Sequence, residues 1–443
     1  MYKKDYKVLT KHNVITVRTF YLYLLSVIYA FFLGWGYEKL SKNYYVGWFP
    51  YNPNICKILY GMVWCSIIYF LIEHDNKKVS SFLLEILYFF QIIPITVIFS
   101  LKSDSIFYYT IICISTVVCE GIVIVFRESI QYIIITRLNY WKIFLMGLLV
   151  ALLIYRLYIY GVPSLKALNI YAVYDLRSSG VYGVTKYWGY IQKIVVAVCI
   201  PILLTFFFVR KKMLGTFAVL ITEFVIYLYT GEKTILLVGP LVLGTVWLCK
   251  KCNFPYNFWL LFALAVIVMV IGEENRYVTS FYDLFVRRLL LVPANLKFLY
   301  YDFFSNNEKI GLAGIFPRII ADIHNPYGSG PYEGYAYLIG KEYFDRPQMS
   351  CDTGFIAEGF MRFGELGILG EFIILGIIIR WIDKFSERTS YVYGIGCSIY
   401  FMYGLTENHL IDQLLFGSTT LFVIFIFTYC NVGKMKGKSN ERI

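Results

Sequence analysis

Long apolar runs alternate with short polar junctions along the whole chain. Most runs are about 17–22 residues, enough for a helix to cross a hydrocarbon core of roughly 30 Å. The two-residue alternation of a membrane β-strand is absent. About twelve spans are predicted, near 19–36, 55–72, 81–100, 106–126, 142–159, 191–209, 214–230, 234–249, 256–272, 353–379, 391–406 and 413–430. The pattern defines an all-α polytopic membrane protein, with residues 1–443 as a single integral membrane domain.

Composition agrees: 58% of the 443 residues are hydrophobic and 19% aromatic, more apolar surface than a soluble fold of this length could bury. The net charge of +12 would suit nucleic acid if it were clustered on one surface. Instead it recurs at every second junction: Lys3, Lys4, Lys7, Lys11 and Arg18, then Lys77/Lys78, Arg210/Lys211/Lys212, Lys250/Lys251, Arg380/Lys384/Arg388, and Lys434 to Arg442. Cationic loops of this kind set orientation. Nucleic acid is thereby excluded as a partner, and both termini are placed on the cytoplasmic side. The ten cysteines are scattered, with no zinc-like or disulfide-like spacing. The first span lacks a small-residue cleavage site and reads as retained.

With that orientation two external segments are long enough to fold over a site. Residues 160–190 carry Arg177 among many aromatic side chains, including Tyr174. Residues 273–352 form the dominant external loop, of about 80 residues. Within it Phe281–Phe304 mixes apolar residues with Arg287, Arg288 and Lys297, predicting one or two short helices lying on the membrane face and broken at Pro293. The Gly-, Pro- and Tyr-rich stretch 325–340 is expected to be irregular.

The loop feeds directly into Asp352–Gly370, DTGFIAEGFMRFGELGILG, which carries Glu358 and Arg362 into an apolar run. Charge there is costly and marks a site more often than a packing choice. Glu358 and Arg362 stand four apart on one helix face. They serve either as an internal ion pair or as a general base with its tuning partner. Asp352 is either an N-cap or a sugar ligand. Arg177, Arg276, Arg287, Arg288 and Arg318 are external guanidinium groups suited to phosphate oxygens, with binding of ordinary lipid head groups as the alternative. Gly231-Glu232-Lys233-Thr234 is a hinge between spans, where Lys233 would neutralise phosphate and Glu232 would take a sugar hydroxyl. His324, beside Asp322, is a second candidate base. Glu407, His409 and Asp412 form the last external cluster. Tyr174 and Tyr335 suit stacking against sugars, although an interfacial aromatic belt accounts for many such residues. Glycines 354, 359, 364, 367 and 370 permit close helix packing. No metal cluster, nucleotide fingerprint or Ser/His/Asp order is present, so neither metal nor cofactor is expected.

Three passages carry a resemblance: Val173-Tyr174-Asp175-Leu176-Arg177, Thr230-Gly231-Glu232-Lys233-Thr234, and Asp352–Phe360 continued by Arg362-Phe363-Gly364 and Gly367. With about a dozen spans and one dominant external loop, the chain resembles the Wzy-type polysaccharide polymerases, the O-antigen or capsule repeat-unit polymerases of bacteria (oligosaccharide repeat unit polymerase family). The resemblance implies a membrane-embedded, GT-C-like architecture and a metal-independent inverting glycosyltransferase in the bacterial cytoplasmic (inner) membrane, with its site on the external, periplasmic face. It implies undecaprenyl-diphosphate-linked oligosaccharides as substrates, membrane lipid as surroundings, and a chain-length regulator and flippase of the same pathway as partners. Arg177, Arg287, Arg288 and Lys233, with Arg276 and Arg318, would hold the diphosphate. Glu358, then His324, would serve as base. A lipid-linked oligosaccharide flippase or transporter, or an O-antigen ligase, is the alternative. A transporter would place its charges along the spans and keep its loops short.

Overall fold

The structure, a computed structural model, describes residues 2–43, 48–75, 77–125, 141–163, 165–168, 186–251, 254–313, 326–327, 335–408 and 410. These residues form helices and connecting turns, with no strand among them. Among the described residues, seven helices are long and apolar enough to cross a membrane: Val17–Lys42 within α1 (Tyr2–Asn43), α3 (Val79–Lys102), α4 (Ile106–Val125), Ile143–Tyr160 within α5 (Trp141–Tyr160), α6 (Tyr187–Val209), α7 (Met213–Thr230) and α8 (Lys233–Lys251). Two shorter apolar helices, α2 (Ile55–Leu71) and α9 (Tyr256–Ile271), accompany them. These nine correspond to the first nine expected spans, which makes the chain a multi-pass membrane protein. The expected span at 413–430 lies outside the described residues.

The chain divides into two compact units. One comprises Met1–Glu128, Asn253–Arg380 and Met402–Ile411; the other comprises Ser129–Cys252, Trp381–Phe401 and Asp412–Ile443. In the first, α1 packs against α9 and α3. Its core is aromatic: Trp259 stacks on Phe89 at 4.2 Å between ring centroids. The indole N–H must find an acceptor once buried, and it donates to Glu85 at 2.6 Å. The other Glu85 oxygen meets His74 Nδ1 at 3.0 Å. In the second unit α6, α7 and α8 pack on one another. There Gly239, beside Pro240 in mid-helix, gives its backbone N–H to the buried Glu223 carboxylate at 2.7 Å. A side chain at 239 would collide with that carboxylate.

Within 273–352 the described residues include the short helices expected at Phe281–Phe304, joined into one run. It is helical from Arg276 to Asn306: α10 (Arg276–Phe281), a ten-residue π-helix (Tyr282–Leu291) and α11 (Val292–Asn306). Pro293 does not break this helix. Val292, just before it, donates its N–H five residues back, to Arg287 O. Proline has no N–H, and its ring crowds the carbonyl four residues earlier. Widening the preceding turn to a five-residue register relieves the crowding. The same solution occurs twice more, at Ile93–Pro94 in α3 and Ile200–Pro201 in α6, where Ile93 bonds Tyr88 O and Ile200 bonds Val195 O. Residues 293–300 are buried, so α11 is packed into its unit instead of floating on a membrane face. Tyr335–Phe344, expected to be partly irregular, forms α12.

The long helix α13 (Phe355–Arg388) is broken near its start. Phe363 and Gly364 leave helical geometry, and Gly364 takes φ 64°, ψ −141°, a conformation reserved for glycine. The freed carbonyls of Met361 and Arg362 accept N–H groups from Ile310 and Gly311, at 3.1 and 3.2 Å. The short leading helix, 355–362, thus lies back against the turns that follow. Backbone meets backbone there: a Cβ on Gly359 would lie 2.9 Å from the Gly367 carbonyl carbon. Gly354 makes an equally close approach to the carbonyls of Leu405 and Thr406, beyond the end of α14 (Tyr391–Gly404). Close packing therefore accounts for glycines 354, 359 and 367. Gly364 serves the bend, and Gly370 has open space beside it.

Candidate functional site

Three irregularities in the first unit converge on α11: the π-helix before it, the broken start of α13, and the turn after α14. Arg288 is exposed on the π-helix. Lys297, one helical stretch later, is 1% exposed and gives one N–H to Pro293 O at 3.1 Å. Burial pushes its ammonium down to about 7, opposed by the charge of Glu407. Glu407 lies in the turn after α14. Burial raises its carboxyl above the ordinary value; Arg288 and Lys297 act in the opposite direction, and Asp352 adds to the rise. Two cations and a second carboxylate therefore lie within electrostatic reach of Glu407, with Arg288 and Asp352 exposed to solvent.

Tyr300, one turn beyond Lys297 on α11, ties the rest together. Its hydroxyl is fully buried and donates to Cys351 O at 3.0 Å. Burial raises it well above its ordinary value, with added contributions from Tyr335, Asp352, Cys351 and Glu358. Four of the candidates from sequence, Arg288, Asp352, Glu358 and Tyr335, thus belong to one neighbourhood. Its centre, Lys297 and Tyr300, was not among them. The signal that marks these two is a lysine held among apolar residues immediately after an in-helix proline, which is a buried position for a residue seldom buried unpaired.

Glu358 is sealed at 0% exposure against Arg362 at 2%, with Nε–Oε1 at 2.7 Å. Arg362 also donates to Gly311 O at 3.0 Å and Ala313 O at 2.9 Å. The pair therefore clamps segment 310–313 onto the leading helix of α13, and a buried ion pair of this kind is costly to break from one side. Glu358 is thus enclosed by protein. Asp352 is not an N-cap. The first helical bond, from Glu358 N–H, ends on Gly354 O, and the Asp352 carboxylate instead accepts from Ser350 at 2.8 Å.

The remaining candidates fall elsewhere. Arg287 is held by Asp283 on its own helix through two hydrogen bonds, at 2.8 and 3.2 Å. Arg276 is exposed at the start of α10. Glu232 and Lys233 are half-buried in the second unit, where Gly231 at φ 65° closes α7 and α8 begins at Lys233, the hinge read from sequence. There Glu232 acts on Arg156, a buried cation. Arg156 bonds Gln192 and faces the rings of Tyr160 and Tyr229 at 5.7 and 5.6 Å. Tyr174, Arg177, Arg318, His324 and His409 lie outside the described residues. No cluster of metal-ligating side chains occurs among the described residues. Comparison with known proteins adds nothing to this picture: no family model matches the chain, and no curated protein or solved structure is significantly similar to it.

Proposed function

We propose that the chain is a polysaccharide polymerase that joins oligosaccharide repeat units carried on undecaprenyl diphosphate. The observation that carries the reading is the mixed-charge neighbourhood around α11, in which the exposed Arg288, the buried Lys297 and Asp352 all act on Glu407. In this scheme the acceptor sugar's hydroxyl attacks the anomeric carbon of the growing chain from the face opposite the diphosphate. The hydroxyl proton passes to a carboxylate as the new C–O bond forms. The bond to the diphosphate oxygen breaks, and undecaprenyl diphosphate leaves with the electron pair. Arg288 stabilises the charge developing on that oxygen, and Lys297 adds its field from within the protein, an effect worth most in a site shielded from water. The base must be reachable and have its affinity for protons raised. Glu407 meets both conditions, so the base role expected of Glu358 passes to Glu407. Glu358 and Arg362 become the clamp that shapes the site.

One observation favours a transporter of lipid-linked glycans instead. Charges are buried within the spans themselves: Glu85, Glu120, Arg156 and Glu223, all at 2% exposure or less. Such groups often line ion or substrate paths. The deciding assay incubates purified protein in vesicles with undecaprenyl-diphosphate repeat units. A ladder of longer lipid-linked glycans supports the polymerase. Unchanged substrate that has crossed the bilayer supports the transporter.

A further inference from the structure

A cavity of about 420 Å³ runs between α1, α2 and α3 in the first unit. One face of α1 lines it at every third or fourth residue from Tyr23 through Ala30 and Gly34 to Glu38, about 22 Å of helix. Met62 on α2 and Val97 on α3 close the other sides. The lining is mostly apolar, and its hydroxyls are already paired with protein. Tyr23 bonds Ser66 at 2.7 Å, Thr96 bonds Tyr109 at 2.8 Å, and Ser26 donates to Tyr23 O at 2.7 Å. A cavity with no hydrogen bonds to offer holds water poorly and suits a hydrocarbon chain. It lies between two candidate spans and the shorter apolar helix α2, whose outward faces are apolar and exposed, at Phe20, Leu24, Leu59 and Val63 among others. The medium beside it is therefore acyl chain.

The polar end of the groove selects the head group. Glu38 lines it and pairs with the largely exposed Lys42. Lys57, next to the lining residue Ile58, donates to two backbone carbonyls, Ser103 O at 2.7 Å and Asp104 O at 2.6 Å. Lys102, beside it, pairs with Asp104. Such a balanced rim complements a head group carrying both signs. A doubly anionic one would meet Glu38 and Asp104 as well as the lysines. We propose that this groove is a binding site for one zwitterionic phospholipid with a primary amine in its head group. One acyl chain fills the groove, the phosphate meets Lys57, and the ammonium meets Glu38.

The test is native mass spectrometry of the delipidated full-length protein, titrated with phosphatidylethanolamine, phosphatidylglycerol and undecaprenyl phosphate. The expected result is one phosphatidylethanolamine per chain, bound at least tenfold more tightly than the other two. Ala30→Trp, which fills the groove, should remove that lipid. Should the bulky residue prevent folding, as judged by gel filtration, Ala30→Leu should weaken binding several-fold. Glu38→Gln should erase the preference over phosphatidylglycerol. Equal binding of all three lipids, unchanged binding in the Ala30 variants, or preferential capture of undecaprenyl phosphate would overturn the proposal.

Discussion

The neighbourhood around α11 in the first unit and the one around Arg156 in the second hold charge in different ways. Around α11, Arg288, Lys297, Asp352 and Glu407 come from three separate parts of the chain, and two of them face solvent. Both signs are present, so a charged ligand could exchange partners there without leaving a buried charge uncompensated. Around Arg156 one cation is enclosed by a neutral amide and two tyrosine rings, with Glu232 as the nearby acid. Aromatic faces and an amide stabilise a fixed guanidinium without accepting its proton. The first arrangement suits chemistry that creates and removes charge, whereas the second suits a permanent charge that holds helices together.

The largest expected effect separates the two carboxylates of the first unit. Glu407→Gln should lower polymerisation by about 10²–10⁴-fold, the usual range for loss of a general base, with folded protein retained. Glu358→Gln should instead lower the thermal midpoint and cut turnover less, because it opens the clamp. If Glu358→Gln removes all activity at unchanged stability, the assignment of roles is wrong. Arg288→Ala should come next, with a loss of about 10- to 100-fold in kcat/KM, the equivalent of one strong charge-assisted contact. The matching change in the second unit, Arg156→Lys, should act mainly on stability. An equal kinetic loss there would merge the two regions into one functional system.

Lys297 provides a pH signature. Its ammonium titrates near 7 when no anion is bound. The charged form is lost as pH rises through that value, so affinity for the diphosphate substrate should be full below it and decline above. A bound anion favours the charged form and shifts the apparent midpoint upward. Lys297→Met should flatten KM between pH 6.5 and 9; a slope that survives the substitution would assign the titration to another group. The smallest effect expected is for Gly364→Ala. A side chain at φ 64°, ψ −141° costs about 1–3 kcal/mol, to be read as a lower thermal midpoint with turnover changed only modestly.

Hydrophobic periodicity alone located nine apolar helices to within a few residues, because a helix in hydrocarbon must satisfy its own backbone and be long enough to cross. The hinge at Gly231 and the i,i+4 pairing of Glu358 with Arg362 were equally legible, since left-handed glycines and charges inside apolar runs are local features. The continuity of the helical run through Pro293 was not legible. Its charge and its proline resemble those of a loop, yet the packing of α11 outweighs both, and a π-register absorbs Pro293. Nor could periodicity show that Arg287 turns to Asp283, that Arg288 is exposed to solvent, or that Glu358 is sealed. Whether a charged side chain faces water or a partner depends on neighbours distant in the chain. Lys297, Tyr300 and Glu407 become one neighbourhood only when α11, the break in α13 and the turn after α14 are folded against each other. Local chemistry was written in the sequence; the association of those groups required tertiary contacts, because electrostatic coupling follows distance in space and not separation along the chain.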